Sequence, residues 1–120
     1  MSSADVTRVI DDRRREAAAR LVAIEAQLSG IRVARSDAND DDEHDPEGST
    51  LSTEWSRAEG QRADAERELA ELDAARDRIA DGTYGACASC GAPIPSGRLL
   101  LLPAATLCVP CAERSALSRS

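Results

Sequence analysis

Residues 51–81 read LSTEWSRAEGQRADAERELAELDAARDRIAD. Leu51, Trp55, Ala58, Arg62, Ala65, Leu69, Leu72, Arg76 and Ile79 recur in alternating steps of four and three. That spacing lays one mostly apolar stripe along a single side of an α-helix, and the residues off it are largely charged. Arg62 and Glu66, and Arg67 and Glu71, stand four apart on the flank. Arg62 and Arg76 interrupt the stripe itself, where a guanidinium either reaches out to solvent or pairs with an acid on a partner helix. Asp81-Gly82 ends the pattern, with Gly82 as a left-handed cap.

A helix with one apolar stripe needs a partner to cover it, and the chain supplies one upstream. From Ala4 to about Arg35, Ile10, Ala17, Ile24 and Ile31 return every seven residues, with Thr7, Arg14, Leu21, Leu28 and Arg35 as the second half of the seam. The short link predicts an antiparallel pair, each arm about 45 Å long at the helical rise. Pro46 and Gly48 oppose helix continuation within the link, and Ser49, Thr50 or Ser52 stands ready to cap the second helix. The expected architecture is mainly α: a long antiparallel helical hairpin, a coiled coil over 1–80, then a small module over 81–120 that ends in a short helix.

Composition agrees. Among 120 residues there is no Phe, and Trp55 and Tyr84 are the only aromatics, so a rounded aromatic-filled core is excluded. Trp55 is expected to pack against the first helix. No stretch approaches the length of a membrane-spanning helix, and the opening MSSADVTRVIDDRRR lacks the apolar core of a signal peptide, which predicts a soluble cytoplasmic protein.

The net charge of −7 is unevenly placed. Residues 36–50, SDANDDDEHDPEGST, carry seven acids and no base, while the rest of the chain nearly balances. This acidic run forms the bend of the expected hairpin, with Asp42, Glu43, Asp45 and Glu47 at its tip. It does not read as a calcium loop: counted from Asp41, the sixth position of an EF-hand requires Gly and holds Pro46. His44, alone among acids, reads as a solvated loop residue.

Cys87-x₂-Cys90 and Cys108-x₂-Cys111 are separated by seventeen residues. Paired Cys-x₂-Cys motifs at this spacing favour one structural, tetrahedral Zn²⁺ over disulfides or a redox motif, each pair biting one edge of the tetrahedron. Gly91 permits a tight knuckle, and Cys111 opens an expected final helix, CAERSALS, whose N-terminus favours a thiolate. Four thiolates subtract four charges and the ion restores two, leaving the loaded protein at −9, an unsuitable balance for direct sequence-specific DNA binding. With four protein ligands the metal has no open position, and the chain shows no nucleophile–base pair, so an enzyme is not expected.

The run RIADGTYGACASCGAPIPSGRLLLLPAATLC resembles the zinc finger of the DksA/TraR family of bacterial transcription factors. The shared features are Asp81-Gly82-Thr83-Tyr84-Gly85, Cys87-x₂-Cys90-Gly91, Pro93-Ile94-Pro95, Arg98-Leu99, and Pro103 through Cys108-x₂-Cys111. The resemblance implies a regulator that binds RNA polymerase, not promoter DNA. Its coiled coil enters the secondary channel, its acidic tip is directed at the catalytic centre, and its finger contacts the channel rim, here through Arg98 and Arg114. The usual tip pattern is Asp-x-x-Asp-x-Ala; this chain has Asp45-Pro46-Glu47-Gly48-Ser49-Thr50, with Glu47 beside the missing second Asp. Asp64, Glu71 and Ala112 fall where the best-known member uses basic residues for ppGpp, which leaves ppGpp dependence doubtful. The competing reading is a structural or adaptor coiled coil with a zinc cap, whose seam would equally serve a homodimer, or a redox-sensitive zinc switch.

Overall fold

The computed structural model describes the backbone of residues 3–39 and 46–118 and the side chains of 4–37 and 50–118. Two long helices, α1 (Ser3–Asn39) and α2 (Pro46–Asp81), precede two short ones, α3 (Ser96–Leu101) and α4 (Val109–Ser118). Among the described residues β structure amounts to one isolated antiparallel bridge, Ala86 with Pro93. No described helix is long and apolar enough to cross a membrane. The fold is thus mainly α, a pair of long helices with a small cysteine-bearing module.

Both long helices outrun their expected limits. The first runs to Asn39, past Arg35, and the second begins at Pro46 instead of after a cap at Ser49, Thr50 or Ser52. The reason lies in proline. At the first position of a helix its fixed φ is already helical, and the N–H it lacks would have had no partner there. Pro46 therefore starts the helix that it was expected to delay. Asp42, Glu43 and Asp45 lie outside the described residues, and Glu47 falls in the first turn of α2.

The chain divides into two compact units, Met1–Arg14 with Ala70–Ser120, and Arg15–Leu69. In the second unit, Ile24 and Leu28 from α1 pack with Ala58 and Ala65 from α2, flanked by Leu21 and Trp55. Branched side chains on one helix meet alanines on the other. Trp55 lies against the first helix as expected, and it carries a further contact: the guanidinium carbons of Arg32 and Arg35 stand 5.6 and 5.8 Å from its ring centroid. Arg35 also donates to Ser52 Oγ at 2.8 Å. Arg62 bridges the helices to Glu25 at 4.0 Å and pairs along its own helix with Glu66 at 3.0 Å. Arg67 takes Asp64, three residues back, as its partner. Arg20 pairs with Glu68 across the seam.

In the first unit Val6, Ile10, Leu72 and Ala75 form a buried cluster, against which Ile79, Tyr84 and Ala104 pack. Ile10, Leu72 and Ile79 hold their expected seam positions, and the pattern departs at one position on each helix. Val6 is buried where Thr7 was expected, and Ala75 is fully buried while Arg76 is exposed. At the second of these an alanine enters the seam and the larger arginine beside it turns out toward solvent. Arg76 then pairs with Asp11 at 3.5 Å, as Arg14 does with Asp73 at 2.7 Å. In both units the numbers of the residues paired across the helices sum to 87 or 88, the constant sum of an antiparallel register.

Ile10 is fully buried and Val22 is 68% exposed on the same helix. Ile10→Ala is expected to lower the stability of the zinc-loaded protein by about 2–5 kcal/mol, and Val22→Ala to change it by less than about 0.5 kcal/mol. Urea denaturation followed by circular dichroism distinguishes the two.

Candidate metal centre

The cysteine module hangs on the end of α2. Gly82, at φ +83°, follows the last helical residue. The Gly82 amide donates to Ile79 O at 3.3 Å and the Thr83 amide to Arg78 O at 2.9 Å, the paired bonds of a Schellman cap. This is the left-handed cap that the sequence predicts. Asp81 reinforces it by accepting from the Thr83 amide at 3.0 Å and from the Thr83 hydroxyl. Those bonds hold the Asp81 carboxyl below its usual 3.8, with the Thr83 hydroxyl bond the largest influence. Tyr84 donates from its hydroxyl to Pro103 O at 2.7 Å, tying the start of the module to the segment that leads to the second cysteine pair.

Around the first pair the chain folds into a knuckle. Cys87 donates from its amide to Ala92 O at 2.8 Å, and Gly91 donates to Cys87 O at 2.9 Å. Gly91 has φ +78°, a conformation open to glycine at little cost. The Ala88 amide, donating to Thr106 O at 2.8 Å, brings the approach to the second pair alongside the first. The second pair sits at the start of α4, which opens at Val109, two residues ahead of the expected start at Cys111. Pro110 in the first turn explains the difference, because that turn has no use for its missing N–H. The Ala112 amide donates to Cys108 O at 2.9 Å.

The four Sγ atoms of Cys87, Cys90, Cys108 and Cys111 lie within 4.8 Å of one another, and Cys90 and Cys108 approach to 3.7 Å. A tetrahedron with Zn–S bonds of about 2.3 Å has sulfurs about 3.8 Å apart. The donor set therefore fits one structural Zn²⁺ bound by four cysteines, all four of them the residues expected from spacing. Cys87 and Cys111 are buried, Cys108 is half-buried and Cys90 is exposed. The first two belong to a core cluster with Ile94 and Leu99, so the metal ligands are also core residues.

The electrostatics are those of a thiolate cage. Backbone N–H groups of Cys90, Cys108 and Ser89 bring Cys87 down to about 5, the bond from Cys90 being the largest influence. A hydrogen bond with the Cys108 side chain, aided by burial, pushes Cys111 up to about 11. Such a cluster gives up its first proton readily and its last reluctantly, until a divalent cation takes the protons' place.

Arg98 and Arg114 both turn toward this centre. Arg98 donates from Nε to Leu107 O at 2.9 Å, fixing the residue before Cys108. Arg114 donates from Nη2 to Cys111 Sγ at 3.5 Å. Helix α3 was not anticipated from the sequence. Its anchor is Leu99, buried in a cluster with Cys87 and Cys111. Leu100, Leu101 and Leu102 beside it remain exposed.

Residues 82–115 match the prokaryotic dksA/traR C4-type zinc finger. An uncharacterized protein of Aquifex aeolicus (strain VF5) is 47% identical over 45 residues; the match takes in 38% of this chain and 31% of that protein, so the chain spans about a third of that relative's length. The fold is similar to the solved structure of transcription factor DksA2 from Pseudomonas aeruginosa, with a TM-score of 0.80 and 24% identity over 98% of this chain and 84% of that one.

Stripping the zinc with a chelator is expected to unfold the cysteine module while the Arg15–Leu69 helices, which contribute no ligand, keep their helicity. Amide hydrogen exchange on the stripped protein reads both parts. The Asp81 carboxyl is expected to titrate below 3.8 in the folded protein. Because its folded value is depressed, its contribution to stability is present above the unfolded value and disappears as pH falls through the folded one. Carboxyl-carbon NMR titration measures this, and Thr83→Ala is expected to return Asp81 toward 3.8.

Proposed function

We propose that the chain is a member of the DksA/TraR family, as its zinc finger suggests, and that it regulates bacterial transcription by binding RNA polymerase. The observation that carries this reading is the finger itself, matched over 82–115 and bearing all four cysteines in one cluster. The two long helices and the likeness to a transcription factor's fold support it.

In this reading the helical pair enters the secondary channel of the polymerase. The acidic run 36–50 is directed at the catalytic centre, with Asp42, Glu43, Asp45 and Glu47 as the contacts there. Negative charge suits that destination, since carboxylates interact favourably with a metal-bearing site and its cationic surroundings. Arg98 and Arg114 meet the channel rim. The protein works as a binding module in the bacterial cytoplasm and not as an enzyme, since a zinc with four cysteine ligands has no position for substrate. DNA is not read directly: the excess of acids over bases opposes binding to phosphates. Asp64, Glu71 and Ala112 offer no cation for ppGpp, so regulation independent of that nucleotide is the form proposed.

In vitro transcription with wild type and Asp45→Asn tests the reading. The variant is expected to bind core polymerase as wild type does but to lose most of its effect on transcript yield. Absence of binding by the wild type in a pull-down with purified polymerase rejects the proposal, and equal activity of the two proteins rejects the role of the acidic tip.

A further inference from the structure

A zinc ion with four thiolates carries a net charge of −2, and the protein as a whole is acidic, at −7 before the metal is bound. Residues 81–120 hold only three arginines and no lysine to offset it. One of the three, Arg98, is engaged with the Leu107 carbonyl. Arg114 lies at the sulfur itself. Its Nη2 donates to Cys111 Sγ at 3.5 Å and its Nε to Pro110 O at 3.5 Å.

The helix builds this contact. Residues three and four apart share a face, and a long side chain points back toward the N-terminus, so position 114 lies over 110 and 111. The Ser118 hydroxyl donates to Arg114 O at 3.1 Å and holds the next turn. Beside the metal centre a hollow of about 260 Å³ is lined by Ser89, Leu107, Cys111, Arg114, Ser115 and Ser118. Cys111 is nearly buried, and this hollow is a route by which water and small chelators approach it. Arg114 stands on that route. A guanidinium brings a positive charge and a planar fork of donors to that place. Ser89 lines the same hollow from the first cysteine pair.

We infer that Arg114 is a positioning residue for the zinc: its guanidinium neutralises the Cys111 thiolate, keeps that sulfur on the metal and sets the rate at which the finger releases its ion. Donors that hydrogen-bond to ligands typically change metal affinity by about 10–100-fold when removed. The effect is independent of any partner of the finger, and its test involves no polymerase.

The experiment uses the full chain, loaded with zinc, as wild type, Arg114→Gln, Arg114→Lys and Ser118→Ala. Zinc transfer to a chromogenic chelator is followed at neutral pH. Arg114→Gln is expected to release zinc at least about tenfold faster than wild type, Arg114→Lys to stay within about threefold of it, and Ser118→Ala to match it. The cobalt-substituted proteins give a second readout, since the sulfur-to-cobalt charge-transfer band reports on charge at the thiolates. That band is expected to move in Arg114→Gln and to hold its place in Ser118→Ala. Release from Arg114→Gln within about twofold of wild type overturns the inference. Equal acceleration in all three variants also overturns it, because that is the pattern of a loosened helix and not of a lost charge.

Discussion

Four thiolates held within 4.8 Å of one another repel, and the module around them exists because a divalent cation reverses that repulsion. Everything else in residues 82–115 is arranged on this condition. The apolar material there is slight: Cys87, Ile94, Leu99 and Cys111 make the buried cluster, and two of these four are ligands. A cluster that small cannot offset the entropy of ordering the loops between the cysteine pairs. The metal supplies what the core lacks. Amide donors to Cys87, the Schellman cap at Gly82 and the Tyr84–Pro103 bond then fix how the loops approach it.

The helices obey a different economy. With no Phe and few large side chains, their seam depends on fitting Ile and Leu of α1 against Ala of α2. Register must then be set by something other than bulk, and charged pairs across the seam supply it: Arg14 with Asp73, Arg76 with Asp11, Arg62 with Glu25 and Arg20 with Glu68. Each is exposed or half-exposed and contributes little to stability by itself. A slip by one residue, however, would set Arg14, Arg62 and Arg20 opposite uncharged or like-charged residues, and it would lift Ala58, Ala65 and Ala75 out of the seam. Their value lies in excluding wrong registers, more than in strengthening the right one.

What the sequence disclosed follows from how local each signal is. The cysteine ligands were legible because coordination chemistry tolerates few spacings, and Gly82 because a left-handed cap admits few residues. The helical pair was legible because its pattern repeats. Ala75 in place of Arg76 was not, since a strict count of fours and threes does not register that a small neighbour can take the seam position an arginine leaves. The early start of α2 was hidden for the opposite reason. Proline carries two meanings, breaker and first residue, and sequence order alone does not say which applies at Pro46. Helix α3 is six residues long and anchored by one leucine, too little for any periodicity to reveal.

Arg98 and Arg114 bring the metal centre and the proposed partner into one problem. A guanidinium has five N–H donors, and the described bonds within the module use one from Arg98 and two from Arg114. The same side chain can therefore hold the second cysteine pair from one edge and present its other edge outward. If an arginine so placed also meets the proposed partner, it couples two quantities that are usually measured apart, retention of zinc and strength of docking. A loss of polymerase binding in a variant of either residue would then have two physical origins, a missing rim contact or a loosened finger. Only the zinc occupancy of the same preparation separates them. The exposed Leu100–Leu102 run gives the contrast, because these side chains contribute nothing to the buried cluster around the cysteines, and a docking defect there would belong to the surface alone.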